Sequence, residues 1–248
     1  MSHPALARLD HRPWPIPERR WSMRQSWHDL LFAHWRVPAA ELRPMIPAGL
    51  EVDTFDGSAW LGVVPFRMSG IALRPFPPIP GTSAFPELNV RTYVTFDGKP
   101  GVWFFSLDAA NGLAVWAAKR FFHLPYWHAK MSCEEHDGGI DFHSTRKRAD
   151  PAVDFTAKYR PTGDPFHAEP GTLESFLVER YCLYAARKDG ALYRGEIHHL
   201  PWPLQSAEAE LGPTQLLASH GRGVGKEPPL LHFARRVDVM IWPIERVA

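Results

Sequence analysis

Cysteine is nearly missing from this chain, with only Cys133 and Cys182 among 248 residues. That excludes a disulfide scaffold and any cysteine metal finger. Two thiols so far apart are expected to stay reduced, as in a cytoplasmic protein. An excess of one charge is missing too. The 28 basic and 27 acidic residues leave a formal +1, which carries no electrostatic footprint for nucleic acid or an anionic membrane. No run approaches the roughly 18 apolar residues that would span a bilayer. The N-terminal MSHPALARLDHRPWPIPERR lacks the apolar core of a secretion signal. The expected partner is a small organic ligand or substrate, with no nucleic acid, no membrane, no metal and no cofactor. Self-association into a homo-oligomer stays open.

What the chain does have is proline, 25 of them, with 10 tryptophans and 45% hydrophobic residues. That is enough carbon for a substantial core. The prolines fall as regular punctuation without any low-complexity tract, which suits short strands joined by stiff turns. Residues 1–20 read as an extended Pro-rich arm and 21–248 as a single domain. Strands are expected at 27–37, 50–54, 59–68, 87–96, 101–108, 126–133, 140–148, 153–160, 178–186, 193–199 and 237–241. Helical spacing covers Asn111 to Phe122, with short helical pieces at 38–42, 173–177 and 207–211. The fold class is mostly β, closed or nearly closed, with a few helices at its rim.

The segment PELNVRTYVTF, Pro86 to Phe96, is the most informative. Side chains alternate along a strand, so Glu87, Asn89, Arg91 and Tyr93 share one face while Leu88, Val90, Thr92 and Val94 share the other. The polar face is either solvated, with a Glu87–Arg91 ion pair of little worth, or it is a site. After the turn at Asp97 and Gly98 comes VWFFSLDA, the other arm of a hairpin. It places Phe104, Ser106 and Asp108 on one face and Phe105 and Leu107 on the other. Large aromatics on both sides predict a strand buried twice over, which favours an enclosed site. Polar groups there must be paired or lie against a ligand.

Several motifs together carry a resemblance: HWRVPAAELRPMIPAGLEVDTFDG, ELNVRTYV, GVWFFSLDA, LPYWHAKM, ERYCLYA and HHLPWPL. Over nearly the whole chain from Trp27 onward they resemble the YqjF-like family of bacterial proteins, grouped with the acetoacetate decarboxylase superfamily. The resemblance implies a conical, largely antiparallel β-barrel with a central cavity that Glu87 and Arg91 face. Acetoacetate decarboxylases work through a Schiff-base lysine of depressed pKa. By similarity that position is Tyr126 here, so the lysine is absent. The decarboxylase carboxylate corresponds to Glu87, and its substrate-holding arginine falls near His28. Lys130 shares a face with Tyr126 and His128, but four residues at ~3.3 Å each put it roughly 13 Å away. Lys119 reads as a helix-end cation.

Two functions follow from different classes. In one, Glu87 is general acid or base, Arg91 an anion clamp and Tyr126 a proton donor, acting on a carbonyl or carboxylate compound. In the other, the barrel is a carrier or sensor that only binds a small organic ligand. His28, Asn89, Ser106 and His128 are ligand-binding candidates in both. The remaining features argue for nothing sharper. His198 and His199 point to opposite faces of one strand and do not form a simple metal pair. Cys133 beside Glu134 and Glu135 has a raised, unreactive thiol. Gly221 to Gly225 lacks the Lys-Ser/Thr of a phosphate loop and reads as a flexible loop able to act as a lid.

Overall fold

The computed structural model describes residues 3–78, 83–147, 149, 152–212, 216 and 227–248. The Gly221 to Gly225 stretch lies outside them. In chain order the elements are β1 (Met23–Val37), α1 (Ala39–Leu42), β2 (Glu51–Val52), β3 (Ala59–Leu73), β4 (Phe85–Phe96), β5 (Lys99–Ala109) and α2 (Gly112–Phe121). Then follow β6 (Tyr126–His136), β7 (Gly139–Arg146), β8 (Asp154–Phe166), α3 (Leu173–Val178), β9 (Cys182–Ala186), β10 (Leu192–His198), β11 (Leu204–Leu211), β12 (Leu230–Ile241) and β13 (Glu245–Arg246). Local chemistry explains most boundaries. Asp56 and Gly57, Asp97 and Gly98, and Asp137 and Gly138 all have positive φ, the left-handed pair that a two-residue hairpin turn needs. Asn111 caps α2 by accepting from the backbone N–H groups of Leu113 and Ala114, which satisfies donors the helix itself cannot.

The strands form one sheet whose pairing returns on itself in two circuits. One runs β5–β6–β7–β8–β11–β12–β1–β3–β4 and back to β5; the other runs β5–β9–β10–β12–β1–β3–β4 and back to β5. The strands β12, β1, β3, β4 and β5 belong to both circuits. Their two faces are therefore both interior, and consecutive residues enter different cores. Leu30 and Phe32 join Val64, Phe66 and Tyr93 on one side, while Leu31 and Ala33 join Val63, Leu88 and Val90 on the other. This is why the shared strands carry large side chains without a solvent-facing row. Pairing is antiparallel except that β5 runs parallel to both β6 and β9, because a crossover segment precedes each of those strands.

One expected element is of the other type. Residues 207–211 lie in β11, paired along β8, where the expectation was a helix. Ala and Glu favour helices as individual residues, but LQSAEAEL alternates with period two. Ser206, Glu208 and Glu210 are exposed while Ala207 and Ala209 turn inward, and that pattern decides. Helix α2 differs from expectation in its packing. Only Val115 is buried, and Leu113, Trp116 and Phe121 stand exposed. The N-terminal segment lies on the sheet. Ala5 packs with Met240 and Trp242, and Arg12 pairs with Glu196 at 3.2 Å with both side chains almost fully enclosed.

Candidate functional site

The polar face of β4 points into the core of the second circuit. In register, Glu87 lies opposite Phe66 of β3, and Asn89 opposite Val64, both members of that core. Glu87 is only 3% exposed, and the Tyr126 hydroxyl donates to its Oε2 at 2.9 Å. Tyr126 reaches it from β6, two strands away, because Leu107 of β5 lies between Asn89 and Tyr126 in the parallel register. Burial pushes the Glu87 carboxyl up to about 8. The hydrogen bonds from Tyr126 and Asn89 oppose this without reversing it, and the nearby negative charge of Asp108 adds to it. Glu87 is thus mostly a neutral acid at pH 7, and the Tyr126 phenol, raised by burial and by Glu87, keeps its proton.

Glu87 and Arg91 do not pair. Four residues along a strand separate their Cα atoms by roughly 13 Å, and the Arg91 guanidinium turns elsewhere. Its Nη2 donates to the Tyr93 hydroxyl and to the Leu177 carbonyl, each at 3.2 Å. Its Cζ lies 5.4 Å from the Phe32 ring centre. Tyr93 in turn donates to the Leu177 carbonyl at 2.7 Å and meets His34 Nε2 at 2.6 Å. His34 and Arg91 face each other across Gly62, where a Cβ would come within 3.1 Å of the imidazole and 3.3 Å of Arg91 Cγ. A glycine inside a strand marks such a close approach. Gly62 is the sequence signal for this cluster, and sequence reasoning passed over it together with His34.

The other candidates scatter. His28 bonds Ser69 at 2.7 Å. At that level of β1 it is Trp27 that enters the core, packing on Phe66 and Trp202, so His28 is not brought to Glu87. Ser106 lies opposite Val90, on the reverse face of the shared sheet. There Arg146 Nη2 donates to it at 2.6 Å and Arg146 Nε donates to Asp108 at 2.8 Å. This enclosed ion pair is structural; burial raises the Asp108 carboxyl to about 6 even against the guanidinium. His128 shares the Glu87 face of the sheet, one strand beyond Ala109. Its ring lies against Gly112 and within 3.3 Å of Lys147 Nζ, apart from the carboxyl. Lys130 is exposed on β6 and Lys119 lies over the Trp127 ring. Among the described residues no lysine enters the core around Glu87.

A tyrosine paired with a neutral glutamic acid inside a doubly closed sheet can be set against known proteins. A family model matches residues 24–238 of this chain, that of DUF2071, an uncharacterized conserved protein family. The chain belongs to the DUF2071 family. It is similar to the uncharacterized protein YqjF of Bacillus subtilis, 46% identical over 239 residues, which is 96% of this chain and 98% of that one. Its fold is acetoacetate decarboxylase-like. Acetoacetate decarboxylase from Legionella pneumophila superposes with a TM-score of 0.68 at 13% identity, covering 96% of this chain and 93% of that one. The enduracididine biosynthesis enzyme MppR complexed with pyruvate superposes at 0.64 with 12% identity, over 96% and 93%. At such identities the likeness is one of fold alone, and function must come from the side chains.

Elsewhere the DUF2071 chain holds its titratable groups quietly. His198 bonds the Ala5 carbonyl and His199 the carbonyls of Leu200 and Arg180. Burial lowers both. Burial pushes the Cys133 thiol up to about 12, with Asp29 adding to it and Glu134 contributing less. Among the described residues no group of three or more His, Cys, Asp or Glu could hold a metal, and no helix is long and apolar enough to cross a membrane.

Proposed function

We propose that this protein is an enzyme moving a proton on a small carbonyl or carboxylate compound, without a Schiff-base lysine. The observation that carries the reading is the buried Glu87 carboxyl, titrating near 8 and hydrogen-bonded by Tyr126. A base with a pKa close to the working pH combines availability with driving force. In its ionised fraction Glu87 takes the proton from carbon next to the substrate's carbonyl. The electron pair moves onto the carbonyl oxygen, and the Tyr126 O–H turns from Glu87 to donate to that oxygen. Glu87, now protonated, returns the proton to carbon, so the cycle is balanced with no added reagent. Asn89 orients the carboxyl through its side-chain hydrogen bond. The solved relatives named for decarboxylation and for pyruvate binding support a compound of this class.

The test is exchange of carbon-bound hydrogen in heavy water, followed by NMR over a panel of 2-oxo and 3-oxo carboxylates and simple ketones. Exchange by the wild type that is lost in Glu87→Gln and slowed in Tyr126→Phe supports the reading. No exchange on any compound overturns it and leaves the carrier or sensor, in which the same residues only fix a ligand.

A further inference from the structure

Buried polar atoms in folded proteins nearly always have partners. Among the described residues, those that lack one fall into two groups. His11 and His198 belong to the contact with the N-terminal segment, with Arg194, whose Nε lies 3.2 Å from Glu196 Oε1. The others are His34 Nδ1, Trp60 Nε1, Asn89 Oδ1, Arg91 Nε, Trp202 Nε1 and His232 Nδ1. Each of these lies on β12, β1, β3 or β4, or packs on them through Phe32. His232 is opposite Phe32, and His34 is opposite Gly62, which is opposite Arg91. Trp202 packs edge-on to Phe32 at 5.1 Å, and Phe32 also carries the Arg91 guanidinium.

The most anomalous of them is Arg91. Its Nε is buried and bonds nothing, and its Nη2 meets only neutral oxygens. Among the described residues no carboxylate approaches it to ion-pairing distance. Glu87 is too far along the strand and is held neutral. The neighbouring imidazoles are neutral as well, because burial lowers His34 and His232, and Arg91 lowers His34 further. Arg91 is half-buried; its guanidinium lies over the Phe32 and Tyr93 rings, and its enclosed part, without a counter-charge, carries a desolvation cost. Such an arrangement is completed by an anion.

We propose that Arg91, with His34 across Gly62, is the receptor for the carboxylate of a small organic monoacid. The uncharged remainder of that acid runs along β4 towards Asn89 and the Glu87–Tyr126 pair. One guanidinium beside neutral imidazoles balances one negative charge, which favours a carboxylate over a phosphate dianion. The planar fork of the guanidinium also fits a carboxylate in two-point contact. The inference rests on the proposed function only for what lies at the far end of the ligand.

Titration calorimetry with 4-oxopentanoate, its methyl ester and inorganic phosphate tests it. The acid is expected to bind wild-type protein at least tenfold more tightly than the ester or phosphate. Arg91→Gln is expected to weaken the acid at least tenfold, to the level of the ester. Because Arg91→Gln removes an uncompensated cation, its urea midpoint should equal or exceed that of the wild type. Should it fail to fold, Gly62→Ala decides: its methyl group displaces both side chains and should weaken the acid by a similar factor. Equal binding of acid and ester, undiminished binding by Arg91→Gln or Gly62→Ala, or no binding of the acid by wild type overturns the receptor. The two proposals fail separately. Arg91-dependent binding with no hydrogen exchange leaves the receptor and removes the enzyme. Exchange on neutral ketones with no preference for the acid removes the receptor and leaves the enzyme.

Discussion

Replacing Glu87 by glutamine should make the protein more stable at neutral and alkaline pH, and by an amount that grows with pH. The unfolded chain releases the Glu87 proton near the ordinary 4.5, whereas the folded chain holds it until about 8. Between those values the folded state binds more protons than the unfolded one, so stability falls as pH rises. Below 4.5 both states are protonated and nothing is lost; above 8 the loss is complete. At ~1.4 kcal/mol per pH unit the full window is worth ~5 kcal/mol, of which ~3 kcal/mol is already lost at pH 7. Glutamine keeps the shape and an oxygen to accept from Tyr126, but has no proton to release. Asp108, also raised by burial, to about 6, bends the curve of both proteins alike and cancels in the difference. Urea unfolding of the two proteins at half-unit steps from pH 5 to 9 measures the effect. The curves should nearly meet at the acid end and diverge by several kcal/mol towards pH 8. Parallel curves would refute the claim that a buried, neutral carboxyl stands at this position, and with it the basis of the proposed chemistry.

Two further outcomes follow from the site and its surroundings. Because Tyr126 stands beside Glu87 and the core holds no lysine among the described residues, borohydride reduction in the presence of acetoacetate should leave the mass unchanged; an adduct on Lys119 or Lys130 would restore an imine mechanism. Arg146→Ala strands Asp108 without its guanidinium on the reverse face and should lower stability by about 3–5 kcal/mol; a loss below about 1 kcal/mol in urea titration would show that the pair is not enclosed.

How much of this was legible in the residues differs from element to element. Alternation alone placed Glu87, Asn89, Arg91 and Tyr93 on one face of β4, because side chains in a strand have only two directions. The Asp-Gly pairs marked hairpin turns, since a left-handed pair of residues selects that dipeptide. Aromatics on both faces of β5 announced a strand buried twice, and the family likeness supplied the closure. Where propensity and period disagreed, at Ala207 to Leu211, period was the better guide. What only the tertiary structure decided is the meaning of that polar face. Glu87 and Arg91 share it yet never touch, for their partners come from other strands. Tyr126 crosses from β6, and His34 arrives over Gly62 from β1. Ser106 looked like a neighbour of Glu87 and lies on the reverse side, where Arg146 holds it; His28 is displaced by Trp27. One strand's sequence states which way each side chain points only while the strand stays regular; the register shifts in β1 after His28 and between β4 and β5 at Val90 and Arg91 break the alternation. Which groups then meet depends on register across several strands and on which face closes into which core. That determines whether a carboxyl is paired, neutral or charged, and so what it can do.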